Sequence, residues 1–538
     1  MCLQKFIKKF KKLKTVFWLS LIVIFAIFLR LIFFVGFSSN PAQENLHLSI
    51  VRSIYEGNFE KYLSRYRNIP KDYVGDPAET HAMRWMLNYP TAFFWIILGI
   101  NDIATSMWTA IASIGIIIST FYIGKILYDE KSGLLAAFLV SFFPTDVINA
   151  TRFDTDIIVA FFMALSVLFF LRSLKYKNNK RINYLLTGLF VGLGYLTKPF
   201  SILLPFIFLI YLIYERKLDR KILFFFTGFL IIIILEGLYY SLTTGHFFLN
   251  YIITSTAFRK YLYVTLSGSF YLLNNFKVLH FYRPPLYYFP YLLNINEVAS
   301  DVVPQKVWLF FYFFIISTII LLWKRQYKMI VFPLIWLLFL LFFMEFGPFS
   351  IEFDKNTSTI NYLLMFKETR YISILSIPIS LILAYFLVYI SRNIYSKIIA
   401  GTIVFLLFMF SVNAISSSSS LLVNGISDMR ETFSFLKNQS FKNIYCDSDC
   451  SWILNYYFGF KKENSLKNIE NIKTPEEIES QSYVIVGGSR NLVVGGEWLD
   501  NKYPDFVKNP PENWKLVKII EKERTSWRES NMSIYNVF

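Results

Sequence analysis

Cysteine is scarce in this chain. Three residues in 538 rule out a disulfide framework, and Cys446 and Cys450, in YCDSDCSW, either bridge locally or stay unpaired. Charge is scarce too: 17% of residues are charged, against roughly 25% in soluble domains, which excludes an ordinary soluble globular fold. Within the long apolar runs the charges shrink to a few, notably Lys125, Glu236 and Glu345 near the run ends. A charge at mid-bilayer costs roughly 2.5–3.5 kcal/mol or more, so ion-coupled transporters keep such groups for function. Their scarcity, and the lack of an inverted repeat, argue against a transporter of that kind.

Apolar sequence is abundant. The chain is 55% hydrophobic and 19% aromatic, with a mean hydropathy of +0.45. Its apolar blocks run to about 15–22 residues, the length that crosses a hydrocarbon core of roughly 30 Å as helix. The expected fold is an all-α polytopic membrane bundle of about 11 transmembrane helices, at 15–36, 104–123, 134–148, 157–171, 184–196, 200–214, 222–240, 307–323, 329–346, 372–390 and 398–415. Residues 85–100 are ambiguous, as an interfacial or re-entrant helix. The first block follows KKFKKLK, contains Arg30 and lacks a small-x-small cleavage site, so it reads as an uncleaved span.

The net charge of +17 does not point to nucleic acid, because the basic residues sit in short clusters between apolar blocks. EKS, KYKNNKR, ERKLDRK, KRQYK and SRNIYSK all fall on the N-terminal side, which is therefore cytoplasmic. The intervals 37–90, 145–156, 241–305 and 347–370 fall on the outer face with the tail. That tail, 423–538, alternates short β-branched or aromatic runs (FKNIYCD, SYVIVGG, NMSIYNVF) with helical spacing, as expected of a small α/β extracytoplasmic domain. It is either an inert cap or an acceptor-recognition unit. The expected placement is an integral plasma-membrane protein with residues 1–14 in the cytoplasm.

The outer face gathers the chemistry: Glu44, His47, Arg84, Asp146, Arg152, Asp154, Asp156, Lys198, Arg283 and Arg370. Carboxylates there can take a proton from an attacking hydroxyl, and arginine forks and lysines suit phosphate at headgroup depth. FDTD, at 153–156, places two carboxylates at i and i+2, which makes Asp154 and Asp156 candidate ligands for a divalent cation. Solvated loop acids are the commoner explanation of such a pattern, and a lone His47 more often packs than ligates.

Several ordered pieces resemble one family. QENLHLSIVRSIYEGNF is similar to a D-E-x-x-Y/H…G first-loop motif, and NYPTAFFWIILGI, GKILYDEKSGLLAAFLVSFFP, TRFDTDIIVAFF, GLFVGLGYLTKP, RPPLYYFPYLL and ETRYISILSIP resemble later landmarks. The chain thereby resembles the glycosyltransferase C superfamily over residues 15–390, in particular polyprenyl-phosphate-sugar-dependent protein O-mannosyltransferases and aminoarabinose transferases. The resemblance implies sugar transfer from a polyprenyl-phosphate donor to a glycan, lipid or protein acceptor. It implies Glu44 and Asp156 as catalytic carboxylates, and Gln43, His47, Arg84, Arg152, Asp154, Lys198, Arg283 and Arg370 as substrate contacts. Two departures stand out. Gln43 occupies the place of the family aspartate, and a glutamine takes no proton at neutral pH. Leu87, Asn88 and Tyr89 stand where a lysine is usual. The oligosaccharyltransferase W-W-D-Y-G signature is absent. A lipid-linked glycan flippase and a membrane receptor remain the alternatives.

Overall fold

Where the apolar blocks stand, the chain is helical. The computed structural model describes residues 2–36, 41–69, 83–176, 178–256, 268–273, 276–280, 288, 292, 307–354, 359–364, 369–424, 427–486, 504–520 and 532–538. α1 (Cys2–Ile32) has no proline or glycine and stops short of Gly36, whose φ of +74° suits glycine. The polar α2 (Pro41–Tyr55), short α3 (Phe59–Ser64) and α4 (Trp85–Leu98) follow. Asn101 caps α5 (Asp102–Leu127) by accepting from Ala104 N, and Asp129 caps α6 (Glu130–Ser141) through Ser132 N. The chain then bends by 60° into α7 (Pro144–Ala150), where proline opens the new helix.

α8 (Thr155–Lys175), α9 (Lys180–Tyr195), α10 (Leu204–Tyr214), α11 (Leu223–Thr244) and α12 (Leu249–Thr256) come next. They are followed by α13 (Trp308–Trp323), α14 (Tyr327–Phe346), α15 (Ser376–Ile390) and α16 (Ile394–Asn424). Among the described residues seven helices are long and apolar enough to cross a membrane, or eight if the bent α6–α7 pair counts as one. The other expected spans, α9, α10 and α13, are helices of 16, 11 and 16 residues. These are shorter than the roughly 20 residues of an ordinary crossing. The ambiguous stretch is α4, 14 residues long.

Burial is uneven across the bundle. In the Arg370–Ile390 and Thr155–Lys175 segments 89% and 72% of the crossing window is buried inside the protein, against 22% in α1. These two helices are therefore walled by protein rather than lipid, and the chain brings the start of each to the same place.

An expectation of helices alone up to residue 422 fails in one place. β1 (Gly268–Leu273), β2 (Phe276–His280), β3 (Pro348–Asp354) and β4 (Thr359–Leu364) form a sheet in the order β1-β2-β4-β3. The parallel β2–β4 ladder joins residues 84 apart in sequence, from Phe276↔Ile360 to Leu279↔Leu363 (360 − 276 = 84). Such a pairing leaves no local signal in either loop.

In the tail, α17 (Ser427–Leu436), β5 (Ile444–Cys446), α18 (Ser448–Tyr457), β6 (Leu466–Asn468), β7 (Ser482–Val486), α19 (Asp505–Lys508), β8 (Trp514–Ile520) and β9 (Met532–Val537) build a mixed sheet ordered β6-β5-β7-β9-β8. Met429 and Leu436 of α17, Ile453 of α18 and Ile534 of β9 share one core cluster with Trp95, Ile116 and Trp336 of the bundle. Cys446 and Cys450 are buried and unbridged.

α9 and α11 cross at paired glycines. A Cβ added at Gly188 would overlap Phe225 O, and one at Gly228 would overlap Leu185 O. With backbone against backbone, neither helix has a side chain that can swing aside. Gly188→Val and Gly228→Val are each expected to cost about 1–3 kcal/mol. The thermal unfolding midpoint of the detergent-purified protein checks this; an unchanged midpoint would sink the close-crossing account.

Candidate functional site

The site is built on the loop that starts α8. Gly36 N donates to Thr151 O at 2.8 Å, and Thr109 Oγ1 sits 2.9 Å from Arg152 O, so α1 and α5 fix the loop backbone. Asp154 then caps α8 by accepting from Asp156 N at 2.7 Å. The cap holds its carboxylate at the helix start, where the N-terminal dipole favours negative charge. Arg152 Nε donates back to Asp154 Oδ2 at 3.0 Å.

Asp156, in the first turn of α8, has no exposed surface. Lys198 Nζ donates to its Oδ1 at 2.6 Å, and Arg370 Nε lies 3.3 Å from its Oδ2. Arg370 also stands 4.0 Å from Asp154 Oδ2. Lys198 precedes the 3-10 turn Pro199–Leu203 that leads into α10, and Arg370 lies in the 3-10 turn Thr369–Leu375 that leads into α15. Tyr371 covers Lys198, with Nζ 3.6 Å from its ring centroid, and Phe200 lies edge-on to Tyr371 at 5.3 Å.

Arg84, at the start of α4, completes the group. Its Nη1 lies 3.2 Å from His47 Nε2 and 3.4 Å from Thr155 Oγ1. Arginine donates only, so His47 Nε2 accepts and the ring proton sits on Nδ1. His47 is buried edge-on to Phe153. Burial first, then the Arg84 and Arg370 charges, pull its imidazole well below the usual value, which keeps it neutral.

The same forces act on the others. Burial pulls the Lys198 ammonium down to about 8, against the opposing pull of Asp156. Burial also lowers Arg84, with Arg370 adding to it. At Asp154 burial pushes the carboxyl up, but Arg152 and Arg370 more than offset this and hold it below the carboxylate range. Among the described residues, four cations (Arg84, Arg152, Lys198, Arg370) thus meet two carboxylates (Asp154, Asp156), an excess of two positive charges (4 − 2) in a mostly buried place.

Of the residues expected from sequence, His47, Arg84, Arg152, Asp154, Asp156, Lys198 and Arg370 come together here. Gln43 and Glu44 lie in α2 one turn before His47; their side chains are outside the described residues, and Arg283 is too. Thr155, Phe153 and Tyr371 were not anticipated; nothing in their spacing separates them from packing residues. Asp154 and Asp156 turn their oxygens to Arg152, Lys198 and Arg370, and among the described residues no group of three or more His, Cys, Asp or Glu could hold a metal. This donor set does not fit a divalent cation.

Residues 81–240 match the family model described as dolichyl-phosphate-mannose-protein mannosyltransferase, a stretch that carries Arg84, Arg152, Asp154, Asp156 and Lys198. ArnT from Cupriavidus metallidurans, bound to undecaprenyl phosphate, is similar in fold. It shares 11% identity over 96% of this chain and 97% of that one, with a TM-score of 0.54. The Archaeoglobus fulgidus oligosaccharyltransferase in its apo form aligns at 13% identity over 89% of this chain and 70% of that one, with a TM-score of 0.48. No curated sequence matches. The fold is similar to that of glycosyltransferase C proteins such as ArnT. The resemblance to polyprenyl-phosphate-sugar-dependent transferases of that superfamily, read from the loop motifs, stands.

Breaking the Lys198–Asp156 pair would leave a charge buried without its nearest partner. Lys198→Met is expected to destabilise by about 3 kcal/mol, and adding Asp156→Leu to recover most of that loss. Chemical unfolding in detergent measures both; a double variant no more stable than the single one would contradict the account.

Proposed function

We propose that the chain is a membrane glycosyltransferase that moves a sugar from a polyprenyl-phosphate donor to an acceptor on the extracytoplasmic face. The observation that carries this reading is the excess of cations around Asp154 and Asp156 at the heads of α4, α8, α10 and α15. A buried positive excess calls for an anion, and guanidinium forks and an ammonium match phosphate oxygens. The likeness to ArnT bound to undecaprenyl phosphate supports a lipid-linked donor.

In the proposed step an acceptor hydroxyl or amine attacks the anomeric carbon. The bond from that carbon to the phosphate oxygen breaks, and the polyprenyl phosphate leaves with the electron pair. The acceptor proton passes to a carboxylate, for which Glu44 is the first candidate, since Gln43 cannot take it. Arg84, Lys198, Arg370 and Arg283 hold the phosphate, and Asp156 orients Lys198 and Arg370. Gln43 and His47 line the acceptor side, with His47 acting through Arg84. In this reading the bundle comprises residues 15–422 with eleven spans, the N-terminus is cytoplasmic, and residues 423–538 form the outer α/β domain. The sugar and acceptor are those of a mannosyl- or aminoarabinosyl-like reaction.

Transfer of labelled sugar from a purified polyprenyl-phosphate donor tests the reading. Glu44→Gln is expected to lower the rate about a hundredfold, the scale of positioned acid–base chemistry, and Asp156→Asn, which loosens Lys198 and Arg370, about tenfold. Full activity in Glu44→Gln would remove Glu44 from the mechanism. Lipid movement across liposomes with no transfer would overturn the enzyme reading.

The Lys198 charge sets a pH dependence. Below about pH 8 the ammonium is protonated and grips the phosphate; above it the charge is lost. Donor affinity is therefore expected to fall as pH rises through about 8, and Lys198→Arg to remove that fall. A profile flat from pH 7 to 10 in the unaltered protein would be the contrary result.

A further inference from the structure

Asp146 is fully buried in α7, six residues before Arg152, and takes no part in the phosphate site just described. A carboxylate taken out of water without good hydrogen bonds is costly, so its partners indicate what it is for. Ser376 Oγ lies 2.7 Å from Asp146 Oδ2 and 2.8 Å from Ser373 O. Ser376 opens α15, and Ser373 belongs to the 3-10 turn that bears Arg370.

One turn further along α7, Asn149 Nδ2 reaches Arg370 O at 3.3 Å and Ser373 Oγ at 3.5 Å. Ser373 Oγ donates to Arg370 O at 2.9 Å. Asn149 is itself fully buried. α7 thus fastens the 369–375 turn from beneath, at the backbone of the residue whose side chain meets Asp156. Buried Arg30 of α1 is held by Ser113 Oγ at 2.9 Å, Ala26 O at 2.9 Å and Ser141 O at 3.0 Å, the last at the end of α6 just before the bend into α7.

Arg370 makes its contacts with Asp156 and Asp154 at 3.3 and 4.0 Å. Close charge-assisted bonds run to about 2.7–2.9 Å. Its side chain is 20% exposed, more than those of Arg152 and Lys198, at 12% and 10%. The position of the 369–375 backbone therefore sets how far this guanidinium stands from both carboxylates.

We infer that Asp146 is a positioning residue: through Ser376, and together with Asn149, it fixes the 369–375 turn so that the Arg370 guanidinium stands between Asp156 and an incoming lipid phosphate. This rests on the proposed phosphate-binding role of the site. The α7 bend serves the same end, since it turns the Asp146 and Asn149 side of the chain against that turn.

The test uses the full chain in detergent with polyprenyl phosphate as the probe. Asp146→Ala, Ser376→Ala and Arg370→Ala are each expected to weaken its binding about tenfold. Asp146→Ala combined with Arg370→Ala should bind no worse than Arg370→Ala alone, and Asp146→Asn, which keeps an acceptor for Ser376, should bind within about twofold of the unaltered protein. Unaltered binding in both Asp146→Ala and Ser376→Ala, or losses that multiply in the double variant, would overturn the inference. If the unaltered protein binds no polyprenyl phosphate, the proposed function fails, and the thermal unfolding midpoints of the same variants decide the positioning. Non-additive shifts for Asp146→Ala and Arg370→Ala support it, and strictly additive shifts reject it. Ser376→Ala, which leaves the carboxylate in place, covers the case in which Asp146→Ala does not fold.

Discussion

Asp156 accepts from Lys198 at 2.6 Å with no exposed surface of its own, and much of the surrounding architecture follows from that one buried ion pair. An ion pair inside a protein repays its desolvation only with good geometry and further hydrogen bonds. Here the geometry comes from two helix starts. The Asp154 cap sets the first turn of α8, and the break between α9 and α10 delivers Lys198 to it. Arg370 arrives from a third start, at the head of the most deeply buried segment. Protein walls exclude lipid from these two helices, which lets charged groups sit at their ends without facing hydrocarbon.

The tail is bound to this arrangement at the start of α5. Asp102, at the start of α5, accepts from Arg430 of α17 at 3.1 Å and from Tyr456 of α18 at 3.1 Å. Tyr456 also meets Thr105 at 2.8 Å, and Thr105 accepts from Trp95 at 2.9 Å. Gly36 packs on Asp102 so closely that a Cβ there would lie 2.8 Å from its Oδ2. The residue that fixes the α8 loop from α1 is thus the one that touches the anchor of the tail. Arg52 of α2 pairs with Glu463 at 2.7 Å, but with Glu463 55% exposed this contact adds little in energy. What it contributes is direction, because α2 carries His47 and the backbone of Glu44.

Much of the site was legible because the ends of apolar blocks can be read in sequence. FDTD, TKP and ETRY each sit where one begins or ends, and seven of the expected residues meet around them. The partner choices were not legible. Nothing in FDTD says that Asp154 caps a helix and turns to Arg152 while Asp156 turns to Lys198, since a D-x-D pair fits a metal equally well on paper. The choice is made by residues 42 and 214 positions further on (198 − 156 = 42; 370 − 156 = 214). The β2–β4 ladder was hidden for the same reason, as its register is set between loops rather than within either one.

The charge excess bears on how such a site could favour reaction over mere binding. A sugar linked through a phosphodiester carries one negative charge, and the phosphate monoester it leaves behind carries close to two at neutral pH, its second pKa being about 6. Among the described residues, four cations against two carboxylates leave two positive charges (4 − 2), so the match improves as the bond to the sugar breaks. Interactions stronger in the transition state than in the bound donor are the ones that raise the rate. They cost least to apply when the donors are already in place, as these are: each cation is held by a carboxylate, a ring or a capped helix start before any phosphate arrives. On this argument Asp154 and Asp156 serve the proposed reaction without touching the proton, by holding four like charges together in a place those charges would otherwise push apart.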